Sequence, residues 1–365
     1  MVNSTDVVVI GGGPAGLAAA LALREKGLDV LVADGMSPDP IDKACGEGLM
    51  PDAVAALSRL GVKVTGAPFQ GIRFLSGATQ VEARFPHGQG LGVRRTVLHQ
   101  ALTRAAQHAG VQLRWNSPVT GLTEGEVRFA PGAVKTRWIV GADGGFSAVR
   151  RWTGLNNKMV SRERYGFRKH FRVAPWSDFV EVYWTDGCQI YVTPVGVQEV
   201  GVAVLSRDRR LRVDEAITKF PNLTTRLRGA AEASVERGAV SASRRLHRVC
   251  SGHVGLVGDA SGSVDAVTGE GLSLAFHQAP ALAAAIAAGD LKQYGRAHAR
   301  IRRTPAMMAE ALLLLDGSSS LRNRVLPAMS ARPQIFEGML AGHVGGAGTA
   351  AMAGNLVALG WAMLF

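Results

Sequence analysis

DVVVIGGGPAGLAAA, which spans residues 6–20, carries the clearest structural signal in this chain of 365 residues. The apolar run Val7 to Ile10 is typical of a buried parallel strand, and the Ala/Leu-rich segment after the glycines is typical of a helix. Between them, Gly11, Gly13 and Gly16 hold the GxGxxG spacing of a dinucleotide-binding turn. We expect a nucleotide diphosphate to lie on the free N–H groups at the start of this helix.

The residues around this turn support the same interpretation. Pro14 and Ala15 complete the loop, and we expect both to contact the nucleotide. A second apolar run, Val30 to Ala33, ends in Asp34, where an acid accepts hydrogen bonds from ribose hydroxyls. Glycine loops also form ordinary turns, but a strand, helix, second strand and acid in this order favour a dinucleotide site.

Two further loops lie far downstream. Residues 138–150 read WIVGADGGFSAVR, and residues 254–272 read VGLVGDASGSVDAVTGEGL. Both predict a strand that runs into a Gly/Asp loop, as expected where a strand ends at a cofactor. Within residues 138–150, Asp143 and Gly144 are the predicted cofactor contacts. Either loop alone fits a plain turn, but three such loops indicate FAD rather than NAD.

The second of these loops supplies most of the remaining cofactor candidates. We predict that Asp259, at the end of a strand, hydrogen-bonds a ribityl hydroxyl. The glycines let the backbone approach a flat ring where a helix begins, and that helix end would stabilise negative charge on a reduced flavin. The residues predicted to contact the cofactor here are Gly258, Asp259, Gly269, Glu270, Gly271 and Leu272.

The chain resembles flavoproteins of the para-hydroxybenzoate hydroxylase type over about residues 5–300. This superfamily includes aromatic hydroxylases, flavin-dependent halogenases and geranylgeranyl reductases. GADGGFSAVR is similar to the family's second fingerprint, and GDASGSVDAVTGEG is similar to its third. The third fingerprint and the segment KACGEGL, residues 43–49, most resemble the geranylgeranyl reductase branch. The resemblance implies that Cys45 and Gly46 lie near the flavin and that Arg95 lies by its ribityl–phosphate chain.

Departures from the reductase pattern affect the expected reaction. In the segment YVTP at residues 191–194, Val192 and Thr193 occupy positions where that branch carries Trp and Phe, and Ala266 replaces a usual proline. We therefore expect a monooxygenase that uses NADPH or NADH and hydroxylates an aromatic or polyketide-like hydrophobic small molecule through a flavin C4a-hydroperoxide. No second GxGxxG follows, so the nicotinamide would dock transiently.

Three alternatives stay open. One is an ene-reductase of an isoprenoid, in which reduced flavin gives a hydride to an alkene and a protein acid gives the proton. The second is a halogenase, although the Trp-x-Trp-x-Ile-Pro segment of that branch is missing. The third is a flavin-binding protein without catalysis, which would consume neither nicotinamide nor oxygen.

The substrate-side candidates lie on a predicted antiparallel sheet over residues 164–205 that covers the flavin ring. By the two-residue period of a strand, Arg168 and His170 share a face, and Tyr191 lies on a later strand. With Cys45, these three are the candidate catalytic residues. Ordinary packing is the competing interpretation for each of them.

The predicted fold class is α/β. A Rossmann-like FAD-binding domain is interleaved with an antiparallel-sheet substrate domain and followed by a helical C-terminal region. The predicted boundaries are 1–75, 93–155 and 245–300 for the first part, 76–92 and 156–244 for the second, and 301–365 for the third.

Composition limits partners and compartment. The net charge is +12, but the Arg/Lys pairs are scattered and no nucleic-acid motif is present, so we expect no nucleic-acid partner. Three cysteines without CxxC spacing predict a reducing compartment and no metal site. The first strand begins at Asp6, which leaves no room for a signal peptide and predicts a cytoplasmic protein.

The end of the chain is apolar. Residues 338–365 contain no Asp, Glu, Lys or Arg, yet several glycines interrupt the run. We expect a tail packed on the protein or on a dimer partner, with peripheral membrane contact as the alternative. The oligomeric state stays open.

Overall fold

The computed structural model describes residues 4–156, 158–160, 163–345 and 354. The strands are β1 (Ser4–Ile10), β2 (Val30–Ala33), β3 (Gly48–Leu49), β4 (Ala67–Phe69), β5 (Gly71–Ser76), β6 (Thr79–Arg84), β7 (Gly90–Gly92), β8 (Gln112–Arg114), β9 (Val119–Thr123), β10 (Glu126–Phe129), β11 (Ala133–Gly141), β12 (Lys158–Val160), β13 (Arg164–Arg172), β14 (Phe179–Thr185), β15 (Cys188–Gly196), β16 (Glu199–Ser206), β17 (Ala231–Glu232), β18 (Arg237–Ser241), β19 (Arg244–Leu246), β20 (Cys250–Ser251) and β21 (Val254–Leu256). The α-helices are α1 (Pro14–Glu25), α2 (Pro51–Arg59), α3 (Arg95–His108), α4 (Ala148–Trp152), α5 (Val213–Ile217), α6 (Pro221–Leu227), α7 (Gly271–Ala287), α8 (Leu291–Gly317), α9 (Ser319–Ala331) and α10 (Pro333–His343).

The first sheet carries the nucleotide-binding turn. Its order is β20-β21-β11-β1-β2-β8, with β9 and β10 attached beside β11. The pairs from β21 to β8 are parallel, and β1 lies at the centre, where Val8 pairs with Leu31 on one side and Ile139 on the other. Helices α1, α3 and α7 bury one face of the sheet, which explains the continuous apolar run of β1. The Rossmann-like expectation is confirmed.

The second sheet has the order β17-β13-β16-β15-β14-β5-β6, with β18 beside β13. Its pairs are antiparallel except for β14 and β5, which run parallel. The β5–β6 hairpin therefore belongs to this sheet, so the boundary that the sequence suggested after residue 75 falls inside the hairpin and has to move ahead of Gly71. The physical reason is the pairing of β5 with β14, which is more than 100 residues away and leaves no local signal.

Two small sheets complete the strand pairing: β3-β7-β4 and β12-β19. The first of these packs closely on β15, because a Cβ on Gly92 would lie 1.6 Å from the carbonyl oxygen of Pro194. Only glycine permits this approach. The contact brings the segment just before β3 against the second sheet.

The two faces of the second sheet are covered by different helices. Helices α5 and α6 pack on one face, around Ile190 and Val202. Helices α8, α9 and α10 pack on the other, where the rings of Phe74 and Phe336 lie 4.6 Å apart between centroids. None of the described helices combines the length with the apolar character needed to cross a bilayer. Most of the apolar tail, residues 346–353 and 355–365, lies outside the described residues.

Candidate active site

The glycines of the first loop, which is the GxGxxG turn from Gly11 to Gly16, are of two kinds: some allow close packing and one leaves open space. Helix α1 begins at Pro14, and its N-cap Gly13 makes no side-chain capping bond. A Cβ on Gly16 would lie 1.9 Å from the Gly11 carbonyl oxygen, and one on Gly11 would lie 2.4 Å from that of Ala142. By contrast, a Cβ on Gly13 would meet nothing within 4 Å. Gly11 and Gly16 thus allow close packing, while Gly13 leaves space in front of the uncapped helix end for an anion.

Asp34 lies at the end of β2, beside this loop. Its Oδ2 accepts a hydrogen bond of 2.6 Å from the Gly12 amide, and its Oδ1 accepts one of 2.8 Å from Met36. A carboxylate has about four lone-pair sites, so both oxygens retain capacity for ribose hydroxyls. Trp115 also packs against Gly12, since a Cβ there would lie 2.4 Å from the indole ring.

A buried histidine supports the same turn. His99 on α3 donates from Nε2 to the Gly12 carbonyl oxygen at 2.8 Å. Burial lowers the pKa of His99, with Arg95 acting in the same direction, so the ring is neutral and can donate at Nε2. Sequence reasoning missed both His99 and Trp115 because nothing local connects them to the glycine loop.

The second loop, within residues 138–150, supplies acceptors for the first amides of helix α4. Asp143 Oδ2 accepts hydrogen bonds from the amides of Ala148 and Val149 at 2.6 and 3.1 Å. Its Oδ1 is buried and has no hydrogen-bond partner among the described residues. Gly144 has φ 78° and open space beside it. The visible role of Asp143 is therefore to cap α4, and its free oxygen is the atom left for the predicted cofactor contact.

Arg150 joins the second and third loops. Its guanidinium is buried and donates to the carbonyl oxygens of Gly145 at 2.8 Å and Ala260 at 3.1 Å. Gln278 accepts from the Gly258 amide at 2.8 Å, and Tyr294 donates to Leu256 at 2.6 Å. The Arg150 contacts hold the two loops together, whereas Gln278 and Tyr294 anchor the third loop to α7 and α8. Of these three side chains, only that of Arg150 belongs to a fingerprint.

Asp259 lies past the end of its strand rather than at it. Strand β21 ends at Leu256, and the chain then turns through Gly258 (φ 61°) into a 3₁₀ helix over Gly258–Ser261. The positive φ of Gly258 is the physical reason for the difference. The Asp259 carboxylate is 43% exposed and lies 3.6 Å from Lys43 Nζ, so it is accessible to a ligand.

The third loop, within residues 254–272, ends where α7 begins. Gly269 adopts a left-handed conformation with φ 70°, and helix α7 starts at Gly271 without a side-chain cap. A Cβ on either glycine would meet nothing within 4 Å. The first amides of α7, including that of Leu272, therefore lack a side-chain acceptor and favour negative charge nearby.

The segment from Cys45 to Glu47 is held from several directions. The Cys45 thiol is half-buried and accepts from the Glu47 amide at 3.4 Å. Thr193 on β15 donates to the Gly46 carbonyl oxygen at 2.8 Å. A Cβ on Gly46 would meet nothing within 4 Å, so this loop leaves open space on its outer side.

Glu47 anchors that loop. It is 3% exposed and adopts φ 59°, an unusual conformation for a residue with a side chain. Its Oε1 accepts from the Arg95 amide at the start of α3 at 2.8 Å, and its Oε2 lies 2.6 Å from His170 Nε2. Sequence reasoning named the segment but not Glu47 as its anchor.

Arg168 and His170 are brought together, as the strand period predicts. Arg168 Nη1 lies 3.1 Å from His170 Nδ1, which also lies 2.7 Å from Ser234 Oγ, and Arg168 forms an ion pair with Asp42. Both side chains are buried behind Glu47. This geometry makes them supports of the Cys45 loop, and neither lines the cavity described next.

An apolar cavity of about 270 Å³ lies between the second sheet and helices α8–α10. Its lining reaches from Gly46 and Gly269 to Leu314, which is 65% exposed and marks the side open to solvent. The apolar side chains along its walls include Met50, Phe69, Ile72, Phe74, Val180, Val182, Val267, Met308, Leu312, Leu315, Leu321, Val325, Met329, Phe336, Met339 and Leu340.

The polar side chains of this lining bond to the protein backbone. Tyr191 donates to the Val267 carbonyl oxygen at 2.9 Å, Thr193 donates to Gly46, and Thr268 donates to Asp265 at 3.3 Å. Burial raises the pKa of Tyr191, so its phenol stays neutral. Among the described polar residues of this lining, His343 is the one whose side chain keeps a buried atom, Nδ1, without a hydrogen-bond partner.

These loops fit FAD. An uncapped helix end lies beside the open Gly13, carboxylates with free capacity lie at Asp34 and Asp259, and the loops that contain Gly46 and Gly269 bound one end of the cavity. A diphosphate, two sets of hydroxyls and a flat ring would find suitable partners in that order. The remaining predicted contacts, Arg95 among them, stay predictions, because the structure shows the Arg95 amide but no side-chain partner for its Nε.

The sequence profile of the FAD binding domain family matches residues 4–297. The chain belongs to this family. As a member, the protein is an FAD-dependent oxidoreductase, and the resemblance drawn from its three fingerprints is confirmed.

Relatives and solved structures agree with the family. The flavoprotein is 28% identical to menaquinone reductase of Mycobacterium tuberculosis over 90% of each chain. It is 26% identical to digeranylgeranylglycerophospholipid reductase 1 of Methanothermobacter thermautotrophicus over 74% of each chain. Its fold matches that of a flavoprotein/dehydrogenase from Cytophaga hutchinsonii, with a TM-score of 0.78, 17% identity and 93% of each chain covered.

Glu270, predicted as a cofactor contact, has an unusual setting in this flavoprotein. It is the N-cap residue of α7 and is only 3% exposed. Its Oε1 lies 3.4 Å from His343 Nε2 on α10. Burial raises the pKa of Glu270 well above its ordinary value, and the Asp52 carboxylate adds to the shift. Burial and repulsion by Asp52 therefore favour the neutral, carboxylic acid form of Glu270 next to the FAD loops.

Proposed function

We propose that this flavoprotein reduces a carbon–carbon double bond in an isoprenoid chain. The supporting observation is the cavity of about 270 Å³, whose walls are apolar and whose polar side chains, apart from His343, bond to backbone groups. A hydrocarbon chain needs no hydrogen-bond partner and gains free energy from burial along such walls.

The apolar lining of the cavity also favours reduction over hydroxylation. A phenol or polyketide would bring hydroxyl or carbonyl groups into the cavity, and burying them without partners costs about 1–3 kcal/mol each. The relatives named above carry reductase names, which supports the isoprenoid alternative raised by the sequence. Hydroxylation of an aromatic molecule, which the sequence favoured, stays a prediction.

The residues of the chain would divide the work as follows. When bound in reduced form, FAD supplies the hydride. Gly46 and Gly269 bound the end of the cavity and leave room for a flat ring. The apolar walls of the sheet and of α8–α10 align the chain and exclude water. A second hydrogen must arrive as a proton, so the site needs an acid that stays protonated at neutral pH.

The electron donor is expected to be NADPH or NADH. No second GxGxxG loop is present in the sequence, which fits a nicotinamide that docks only for the transfer. The substrate is expected to be hydrophobic. The solvent-exposed entrance of the cavity, at Leu314, suits a molecule delivered from a lipid surface. Peripheral membrane contact therefore belongs to this proposal.

The test uses the full chain loaded with FAD and reduced without oxygen. A polyprenyl quinone and a geranylgeranyl lipid are offered separately, and mass spectrometry follows the gain of one pair of hydrogens per double bond. Ala311→Phe, which fills the cavity wall, should abolish turnover, whereas Ala331→Phe at an exposed position of α9 should not. Retained turnover in Ala311→Phe would contradict the assigned cavity.

The alternative outcomes are equally informative. If both lipids return unchanged while the flavin is reduced normally, the isoprenoid assignment is wrong. If oxygenated buffer and an aromatic substrate yield a product with one added oxygen, the protein is a hydroxylase.

A further inference from the structure

A pair of titratable side chains lies at the flavin end of the cavity. Thr268 and Gly269 line that end, and the next residue, Glu270, is buried at the start of α7. Its Oε1 lies 3.4 Å from Nε2 of His343, a residue that lines the cavity from α10. Glu270 Oε2 and His343 Nδ1 are both buried and without hydrogen-bond partners among the described residues.

Buried polar atoms without partners are costly, so they call for an explanation. Ion pairing does not supply one here, because the pair faces Asp52 of α2 rather than a cation. Asp52 itself is satisfied at Oδ2, which accepts from Ser273 Oγ at 2.6 Å and from His277 Nε2 at 3.1 Å. A role toward a ligand in the cavity would explain why these atoms remain open.

We propose that His343 and Glu270 deliver the proton in the alkene reduction. His343 would touch the substrate and give it the proton, and Glu270 would act through His343 by replacing that proton. This inference rests on the proposed function, since it names the acid which that reaction requires.

The charge states fit delivery. Burial raises the pKa of Glu270 well above its ordinary value, and the nearby Asp52 carboxylate raises it further. Burial lowers the pKa of His343 to about 4, although Asp52 and the Thr268 backbone act in the opposite direction. Both shifts favour a carboxylic acid beside a neutral imidazole, a pair that can hold a mobile proton without a buried charge.

The pKa of the neighbouring Asp52 carboxylate shifts in the opposite direction to that of Glu270. Burial alone would raise the pKa of Asp52, but hydrogen bonds from His277 and Ser273 outweigh it and lower the pKa. Asp52 therefore stays ionised and keeps Glu270 protonated by repulsion. The titratable groups that face Glu270 are then Asp52 from α2 and His343 from α10, with His277 of α7 behind Asp52.

The step balances as a relay. The carboxylic proton of Glu270 moves to His343 Nε2 while the proton on Nδ1 moves to one alkene carbon. The hydride supplied by the reduced flavin forms the second C–H bond at the other carbon, and the π bond is consumed. Glu270 ends as a carboxylate, His343 ends as the other neutral tautomer, and a proton from solvent restores Glu270.

The first test needs no turnover. We expect the infrared spectrum of the purified protein at neutral pH to show the C=O stretch of a protonated carboxyl group. That band should disappear in Glu270→Gln, which keeps the side-chain shape, and persist in Glu82→Gln, a control at the Arg73 ion pair on β6. A spectrum in which Glu270→Gln loses no such band would overturn the proposal.

The second test follows the reaction. General acid catalysis contributes about 10²–10⁴-fold, so Glu270→Gln and His343→Gln should slow alkene reduction by at least about 100-fold. All rates should be unchanged in Glu82→Gln, including flavin reduction by dithionite and reoxidation of the reduced flavin by oxygen. The wild-type rate should fall as pH rises through the raised pKa of Glu270, and Glu270→Gln should lose this dependence.

The outcomes separate the two claims. If alkene reduction survives both substitutions with an unchanged pH profile, the proton-delivery pair is wrong while the reductase assignment stands. If the wild type shows the carboxyl band but reduces no isoprenoid, the proposed function fails and the delivery role fails with it.

Discussion

Nε2 of His170 lies 2.6 Å from Oε2 of Glu47, although 123 residues separate the two in the chain. This contact ties the second sheet to the segment that carries Cys45 and Gly46. Glu47 also accepts from the amide of Arg95, so one buried carboxylate joins the loop, the sheet and the start of α3. The position of the loop beside the cavity therefore depends on a residue that need not touch cofactor or substrate.

Glu47→Ala should destabilise the protein by about 3–5 kcal/mol, because it leaves the buried His170 without its Nε2 partner and removes one of the two carboxylates, the other being that of Asp42, that face the buried Arg168. Urea unfolding measures the loss. Glu126→Ala, which removes an exposed ion pair with Arg128, should cost less than about 1 kcal/mol. Glu47→Ala should also speed the labelling of Cys45 by a thiol reagent. Equal labelling rates in Glu47→Ala and the wild type would show that Glu47 does not hold the loop.

Gly13→Val should reduce FAD affinity by at least about 100-fold while the protein still folds. The backbone of Gly13 is at φ −72°, and a Cβ there meets nothing, so the added side chain occupies only the space expected for the diphosphate. The flavin content of the purified protein measures this. Gly16→Ala is the contrasting variant, because its Cβ would lie 1.9 Å from backbone and should impair folding itself. A yellow Gly13→Val protein with one flavin per chain would contradict the site.

Asp259→Ala should weaken FAD binding by about tenfold, the effect of losing one charge-assisted hydrogen bond. Its carboxylate is 43% exposed and pairs only loosely with Lys43, so the substitution should change unfolding stability little. Fluorescence titration of the apoprotein with FAD gives the dissociation constant. Glu124→Ala, an exposed acid in a turn, controls for the change in net charge. An unchanged dissociation constant would remove the proposed ribityl contact.

Stability should fall in mild acid because of buried histidines. Burial, with help from Arg302, lowers the pKa of His298 to about 4, below the ordinary value of 6.5 in the unfolded chain. The unfolded state therefore binds the proton first, and stability present above pH 6.5 is lost as pH falls toward 4, by about 3 kcal/mol for this group. Denaturant unfolding across that range should show a shallower pH dependence in His298→Asn than in the wild type. Equal slopes would show that another group dominates the acid response.

Local patterns predicted the elements that depend on nearby residues. The helix expected after the first glycine loop begins at Pro14, and the helix expected at the end of the third loop is observed as Gly271–Ala287. The parallel order around β1 followed from its apolar run and its glycines. These features are set by backbone conformation and by side-chain periodicity within one or two turns of the chain.

Long-range contacts were not predictable in the same way. The pairing of β5 with β14, the salt bridge between Arg168 and Asp42, and the contact between Glu270 and His343 join positions that no spacing rule relates. Arg168 and His170 were correctly placed on one face, but what lies on the far side of that face depends on the loop from another part of the chain. The cavity walls from α8–α10 were predicted only as helices.

The lining of the cavity comes from two different parts of the chain. The FAD family match ends at residue 297, whereas the lining residues from Met308 to His343 all come later in the chain. Under the proposed function, most of the helical wall that contacts the substrate thus lies outside the part of the chain that carries the FAD loops. Related enzymes could vary that wall to suit other substrates, but an exchange of whole helices would have to keep Tyr294 and His298 of α8, which bond to the third FAD loop, and His343 of α10.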